Sequence, residues 1–273
     1  MNAYVFILCP PFSGSTVLWK LISTSSAVSA LPSEGQFLPE LKEVMRQAPW
    51  DADVVLPWAR IKQVWTDYWD QQKPLLIEKS PPNIIRTKEI LQHFNPVHFI
   101  IMVRNPYAHC EGIIRRNGFS PQIAAEFTVR CLQQQMENAE KLSSALCFTY
   151  EEMVKNPEAI AKRIQSFLPQ IGELKHAQSF KVHSIDGLVE RGVVDLNQRK
   201  INNLSPNEIR QINTVLKANA AVLDYWGYKF LEPSAHHAFK FYRARVIAQL
   251  TATASKFRRA AFDAIKKLAG RLA

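Results

Sequence analysis

Long apolar runs are missing from this chain. Across its 273 residues no stretch reaches the roughly 18 consecutive apolar residues that a membrane-crossing helix needs. The opening apolar run over residues 3–9 is too short, and lacks the basic flank, for a secretory signal. Metal and redox spacings are missing as well. The four cysteines, Cys9, Cys110, Cys131 and Cys147, show neither a Cys-x-x-Cys pair nor a zinc-ligand interval. Three of them stand in apolar surroundings, as buried thiols of a reducing compartment do, so a cytoplasmic location is expected. There is no internal repeat and no low-complexity tract, which excludes solenoid and fibrous architectures.

What is present suffices for one large domain. The chain is 47% hydrophobic and 21% charged, enough to bury a full core. Strand-type segments at 4–9, 75–78, 97–103 and 145–149 alternate with helical stretches. That alternation predicts a three-layer α/β fold, a parallel sheet with helices on both faces. Residues 46–74, with Trp50, Trp58, Trp65 and Trp69, read as a helical insertion. Such an aromatic stripe serves as core or, less commonly, as a substrate wall.

The segment Tyr4–Trp19 carries the first chemical signal. An apolar strand stops at Pro10 and Pro11, a turn with Gly14 follows, and Val17, Leu18, Leu21 and Ile22 then recur at helical spacing. A strand, a tight turn and a helix N-terminus make an anion cradle, with backbone N–H groups and hydroxyls converging on one point. The cradle has no P-loop lysine: Gly14 is followed by Ser15, and Pro10 stands where the first glycine of a Walker loop would be. This opposes ordinary NTP hydrolysis and kinase chemistry. A second signal is the apolar run Val97–Val103 that ends in Arg104-Asn105-Pro106. An arginine at the C-terminal end of a parallel strand lies at the ligand-binding edge of an open sheet. Arg116, in the next helical stretch, can reach the same anion, whereas Arg115 reads equally well as a solvated basic residue.

Together these segments resemble the sulfotransferases that use 3′-phosphoadenosine-5′-phosphosulfate (PAPS). The match consists of Pro11-Phe12-Ser13-Gly14-Ser15-Thr16, Arg104-Asn105-Pro106, the stretch Phe148–Glu158 around Tyr150-Glu151, and the closing Leu223–Tyr228. It spans roughly residues 4 to 230, and the tyrosylprotein sulfotransferases are the nearest well-understood branch. The resemblance implies the P-loop-like sulfotransferase fold over residues 1–233. It implies that Pro11, Phe12, Ser13, Gly14, Ser15 and Thr16 hold the 5′-phosphosulfate and that Arg104 and Arg116 hold the 3′-phosphate. Tyr150 would lie near the nucleotide, and Arg199 or Lys200 would close over it. The sequence departs from the family at two places: Phe12 stands where a loop cation is usual, and Gly112 stands where a serine hydroxyl meets the 3′-phosphate.

The same resemblance implies in-line transfer of a sulfuryl group to a hydroxyl or amine, leaving 3′,5′-ADP and requiring no metal. Glu34 matches the general base of the tyrosylprotein branch, and Lys79, at a strand end, would stabilise the sulfuryl oxygens in place of the missing loop cation. Glu34 as a surface carboxylate, and Lys79 as the partner of Glu78 in a strand-end ion pair, are the competing readings. A kinase of P-loop descent and a catalytically silent nucleotide-binding or membrane-adaptor protein are the alternative functions. The acceptor, whether small phenol, saccharide, lipid or peptide tyrosine, is not legible.

Charge is unevenly placed. Residues 234–273 hold nine Lys/Arg against Asp263 alone, eight of the ten net positive charges. Val246, Ile247, Leu250, Phe257, Ala261, Ile265 and Leu268 recur there at helical spacing. A basic amphipathic helical tail of this kind reads as an anchor on an anionic membrane surface, as a helix packed back on the domain, or as an oligomer contact. Nucleic acid is not expected as a partner, because no aromatic residues are placed as stacking platforms among the basic ones.

Overall fold

The computed structural model describes residues 2–184, 187–235, 238, 239, 241–243 and 246. In chain order the elements are β1 (Ala3–Leu8), α1 (Ser15–Ile22), β2 (Val28–Ala30), α2 (Lys42–Arg46), α3 (Trp58–Tyr68), β3 (Leu75–Glu78), α4 (Thr87–His93), β4 (Val97–Val103), α5 (Pro106–Asn117) and α6 (Pro121–Lys141). There follow β5 (Ala145–Thr149), α7 (Tyr150–Lys155), α8 (Pro157–Phe167), the hairpin strands β6 (Phe180–Ser184) and β7 (Gly187–Arg191), α9 (Asn197–Asn202), α10 (Pro206–Lys217) and α11 (Ala220–Tyr225). Short 3-10 turns at Gly35–Phe37 and Pro81–Ile85 follow β2 and β3.

β1 to β5 form one parallel sheet in the order β2-β3-β1-β4-β5. Both faces are covered, which is why the central strands read as continuous apolar runs. Val5, Ile7, Ile77, Ile100 and Met102 face one layer with Leu18 and Leu21 of α1 and Ile160 and Ile164 of α8. Phe6, Leu8, Leu76, Phe99 and Ile101 face the other, with Ile61 and Trp65 of α3 and Ile90 of α4. The expected three-layer parallel sheet is what the chain forms. β1 ends at Leu8, one residue before the expected Cys9, and β2 and the β6–β7 hairpin were not expected.

The register aligns the strand ends. Phe6 pairs with Glu78, Leu8 with Ile101 and Val103 with Thr149, so the chain leaves β1, β3, β4 and β5 along one edge of the sheet. The following helices start cleanly there. Asn105 caps α5 by accepting from the Tyr107 N–H at 3.0 Å, with Pro106 in the first turn. Thr149 and Glu152 form a capping box on α7. In contrast, α1 has no side-chain cap and begins at Gly14, which is left-handed at φ 91°.

Of the tail read as a basic amphipathic helix, residues 235, 238, 239, 241–243 and 246 are described and helical, with Phe241 buried. Ser234 is described and lies outside the helix, and the remaining residues of 234–273 lie outside the described residues. Just before it, the chain is fastened to the domain: the Leu231 N–H donates to Tyr107 Oη at 2.8 Å, and Asn213 Nδ2 donates to the Leu231 carbonyl at 2.9 Å.

Candidate active site

Along that sheet edge lies a cavity of about 920 Å3. Its walls include Pro11, Phe12, Gly14, Ser15 and Thr16 from the β1–α1 turn, Glu34 after β2, Arg104 after β4, Gly112 and Arg116 of α5, Tyr150 of α7, and Arg199 and Lys200 of α9. Segments far apart in sequence thus meet at one place. Two expected site residues do not line it, Ser13 and Lys79.

The turn is built for close approach. Ser13 is fully buried, and its hydroxyl donates to the Pro10 carbonyl, so it shapes the loop from behind. A Cβ on Gly14 would stand 2.6 Å from the Tyr150 ring, and its φ is one that side chains resist. Without a capping side chain, the first N–H groups of α1 have no partner within the helix and face the cavity together with the positive end of its dipole. The neighbouring Cys9 thiol is pushed up to about 12 by burial, so it is not a nucleophile at neutral pH.

Arg104 is 4% exposed. Its Nε donates to Asn197 Oδ1 at 2.7 Å and its Nη1 to the Phe12 carbonyl at 3.1 Å. Its guanidinium lies over the Tyr150 ring, 3.9 Å from the centroid. The remaining nitrogen, Nη2, is buried with no hydrogen-bond partner. Burial disfavours the charged form and pulls the pKa below its ordinary value, opposed by Tyr150 and Glu151. A buried guanidinium with an open donor at a cavity wall suits an anion.

Behind Arg104 lies a chain of polar contacts that fixes it. Glu151 accepts from the Asn105 N–H at 2.9 Å, from Asn197 Nδ2, and from Tyr228 Oη at 2.9 Å. Tyr150 Oη donates to the Val194 carbonyl at 2.8 Å and accepts from the Leu196 N–H at 3.2 Å, tying the 192–200 segment over the site. Lys200 Nζ is 2.6 Å from Glu111 Oε2, and Glu111 is fully buried. Asn197, Glu151 and Glu111 were not singled out from the sequence, although Asn197 and Glu151 lie inside segments that were.

Phe12 and Gly112, the two departures from the family pattern, touch each other. A Cβ on Gly112 would meet the Phe12 Cβ at 2.7 Å and Lys200 Nζ at 3.3 Å. Phe12 is left-handed at φ 61°, the one described non-glycine residue with positive φ. Its carbonyl is the one that Arg104 holds. Arg115, by contrast, is paired away: its guanidinium grips Glu208 at 2.7 and 3.0 Å on α10.

On the other side of the cradle, Lys79 pairs with Glu34 rather than with Glu78. Lys79 is 6% exposed and sits behind the carboxylate, which alone of the two reaches the cavity. The second oxygen of Glu34 accepts from Gln36 Nε2 at 2.6 Å. Glu78 is turned inward and takes hydrogen bonds from the Gly35 N–H at 2.8 Å, from Ser80 Oγ at 2.5 Å and from Asn83 Nδ2. Burial lifts its pKa to about 7. It thereby fastens the Glu34–Gln36 turn to the end of β3. Of the tryptophans in the 46–74 stretch, Trp58, Trp65 and Trp69 are core, while Trp50 lines the cavity.

Comparison with known proteins bears on this geometry. The sulfotransferase family, as a sequence model, matches residues 4–170. No curated protein matches the sequence. Among solved structures, the sulfotransferase domain from the curacin biosynthetic pathway is similar at 19% identity and TM-score 0.51, covering 85% of this chain and 99% of that one. A sulfotransferase from Alicyclobacillus acidocaldarius gives 11% identity and TM-score 0.53, covering 84% and 97%. One from Mycobacterium avium gives 12% identity and TM-score 0.55, covering 85% and 79%. At these identities the structures speak to the fold.

Proposed function

Because the chain belongs to the sulfotransferase family, a family of sulfuryl-transferring enzymes, we propose that it takes its sulfuryl group from PAPS and passes it to a hydroxyl or amine, releasing 3′,5′-ADP. The observation that carries the donor assignment is the buried Arg104 with its open Nη2 beside the uncapped N-terminus of α1. Two anion sites within one cavity suit a nucleotide charged at both its 5′ and 3′ ends. The N–H groups and hydroxyls of Ser15 and Thr16 hold the 5′-phosphosulfate. Arg104, Arg116 and Lys200 hold the 3′-phosphate, and Arg199 closes the rim.

The donor is a mixed anhydride and supplies an already activated sulfuryl group, so the protein's task is positioning and electrostatics. Glu34, exposed to the cavity on one side only, takes the acceptor proton. Lys79 reaches the site through Glu34, and its ammonium steadies the negative charge gathered there. The kinase alternative lacks a P-loop lysine in the cradle, and Phe12 sustains the silent-adaptor alternative.

Calorimetric titration decides between them. The full chain is expected to bind 3′,5′-ADP far more tightly than ADP or ATP. Arg104→Ala should weaken 3′,5′-ADP by about one to two decades, the value of a charge-assisted bond, and leave 5′-AMP nearly unchanged. Equal losses for both nucleotides would make Arg104 a structural residue, and preference for ATP would favour the kinase.

A further inference from the structure

We propose that the part of the cavity away from the nucleotide cradle is an acceptor subsite for a small molecule with a ring-shaped apolar body bearing an anionic group, a carboxylate or a sulfate. This rests on the sulfuryl-transfer reading above and names its acceptor class. The sheet order separates the two ends. The cradle follows β1 and β4, whereas Glu34 and Phe37 follow β2 and Pro81 and Pro82 follow β3, toward the other edge.

That end is aromatic. Trp50 packs edge-on against Phe127 of α6, with centroids 4.8 Å apart. Phe37 and Phe119 also line the cavity and are 41% and 44% exposed. Rings left in water at a cavity mouth are a binding surface rather than core.

Two arginines, Arg46 and Arg130, line the cavity beside those rings. The Arg46 guanidinium lies 4.4 Å from the Phe37 centroid. Arg130 Nη2 donates to the Trp50 carbonyl at 3.2 Å. Among the described residues neither has a carboxylate within 4.0 Å. A guanidinium held on an aromatic face keeps its N–H edge available to a planar anion. The cavity's acids cannot answer them: Glu34 is taken by Lys79 and Glu111 by Lys200. A neutral ring would use the aromatic walls and leave both arginines idle, and a cationic acceptor would be repelled.

Two fluorescent probes of nearly one shape test this. 8-Anilino-1-naphthalenesulfonate carries the anion, and N-phenyl-1-naphthylamine lacks it. The full chain, saturated with 3′,5′-ADP, should bind the sulfonate at one site at least about tenfold more tightly than the neutral amine. The Arg46→Gln, Arg130→Gln double variant should lose about tenfold for the sulfonate alone, with an unchanged melting temperature and unchanged 3′,5′-ADP affinity. Trp50→Ala should weaken both probes. Equal affinity for the two probes, or a double variant that binds the sulfonate like the parent, overturns the proposal. Displacement of the sulfonate by 3′,5′-ADP also overturns it, because the probe then sat in the cradle. Failure of 3′,5′-ADP to bind would sink the nucleotide reading, and the probe comparison on the unliganded chain would still decide this one.

Discussion

At the scale of single residues, the pairing of Glu34 with Lys79 changes how either can be tested. Removing one partner leaves a buried or half-buried charge without its counter-ion, which destabilises as well as disarms. Glu34→Gln is expected to lower kcat by about 10²- to 10⁴-fold with 3′,5′-ADP binding kept, as for loss of a general base. Lys79→Met should lower kcat/KM by a similar factor. The double variant should be little worse than either single one, because the two act as a unit. Additive losses in that cycle would separate their roles.

Glu78 gives a second residue-scale expectation, this time in stability. Its pKa in the folded chain is raised by burial to about 7 from 4.5. Between those values the folded carboxyl keeps a proton that the unfolded chain has released. Its contribution is therefore fully present below pH 4.5 and is lost as pH rises through about 7. Cooling the comparison to one group, parent minus Glu78→Gln, the difference in unfolding free energy should grow by a few kcal/mol, on the order of 3, between about pH 8 and about pH 5. Thermal melts of both proteins at the two pH values measure it. A difference that does not move with pH would mean that Glu78 stays ionised throughout.

At the scale of elements, the β1–α1 turn and α5 are interlocked. Gly112→Ser supplies the family hydroxyl, yet its Cβ would overlap the Phe12 Cβ. It should weaken 3′,5′-ADP binding about tenfold or more, because a displaced Phe12 carbonyl no longer holds Arg104. Adding Phe12→Gly, which removes that Cβ and suits φ 61°, should restore binding. Titration of the single and double variants checks this; a harmless Gly112→Ser would show that the turn is free to move.

The elements also show what a sequence discloses. Long apolar strands and the motif-bearing turns were legible because burial on both faces and the needs of an anion cradle dictate residue types. β2 was not, since Val28–Ala30 is three residues long with no period to detect. Arg104 was legible as the end of an apolar run. Asn197 and Glu151, which hold it in place, were not, because a hydrogen bond across 93 or 46 residues leaves no local pattern. The partner of Lys79 was equally hidden: Glu78 is adjacent in sequence, but alternation along β3 sends successive side chains to opposite sides, and only the fold brings up Glu34. Ser13, expected at the ligand, is turned away by its own bond to Pro10.

At the scale of the whole molecule, positive charge is concentrated in residues 234–273, with nine Lys/Arg against one acid. No helix among the described residues is long and apolar enough to cross a membrane. The sequence of residues 234–273 holds no 18-residue apolar run, so at a membrane the tail would act from the surface, where each cation contributes about 1 kcal/mol and salt weakens the attraction. The full chain should sediment with anionic liposomes at low salt and release at high salt. A chain ending at Pro233 should keep 3′,5′-ADP binding and lose the liposomes. Because Phe241 is buried, that shorter chain should also melt a few degrees lower, about what one lost apolar contact costs. Full-length protein that ignores anionic liposomes, or a truncated chain that fails to fold, assigns the tail to the domain or to an oligomer.

The contact between Phe12 and residue 112 also constrains history. The overlap arises at the Cβ of residue 12, so it would arise with any side chain but glycine in that left-handed turn. A lineage carrying serine at 112 could not adopt this turn in one step without losing its grip on the nucleotide. Serine at 112 and this turn therefore exclude each other, and the glycine is what admits the turn. Reversal faces the same gate from the other side: the turn must open at residue 12 before a hydroxyl can return. Relatives sharing this branch should therefore show glycine at 112 without phenylalanine at 12, and never the bulky left-handed turn beside a serine.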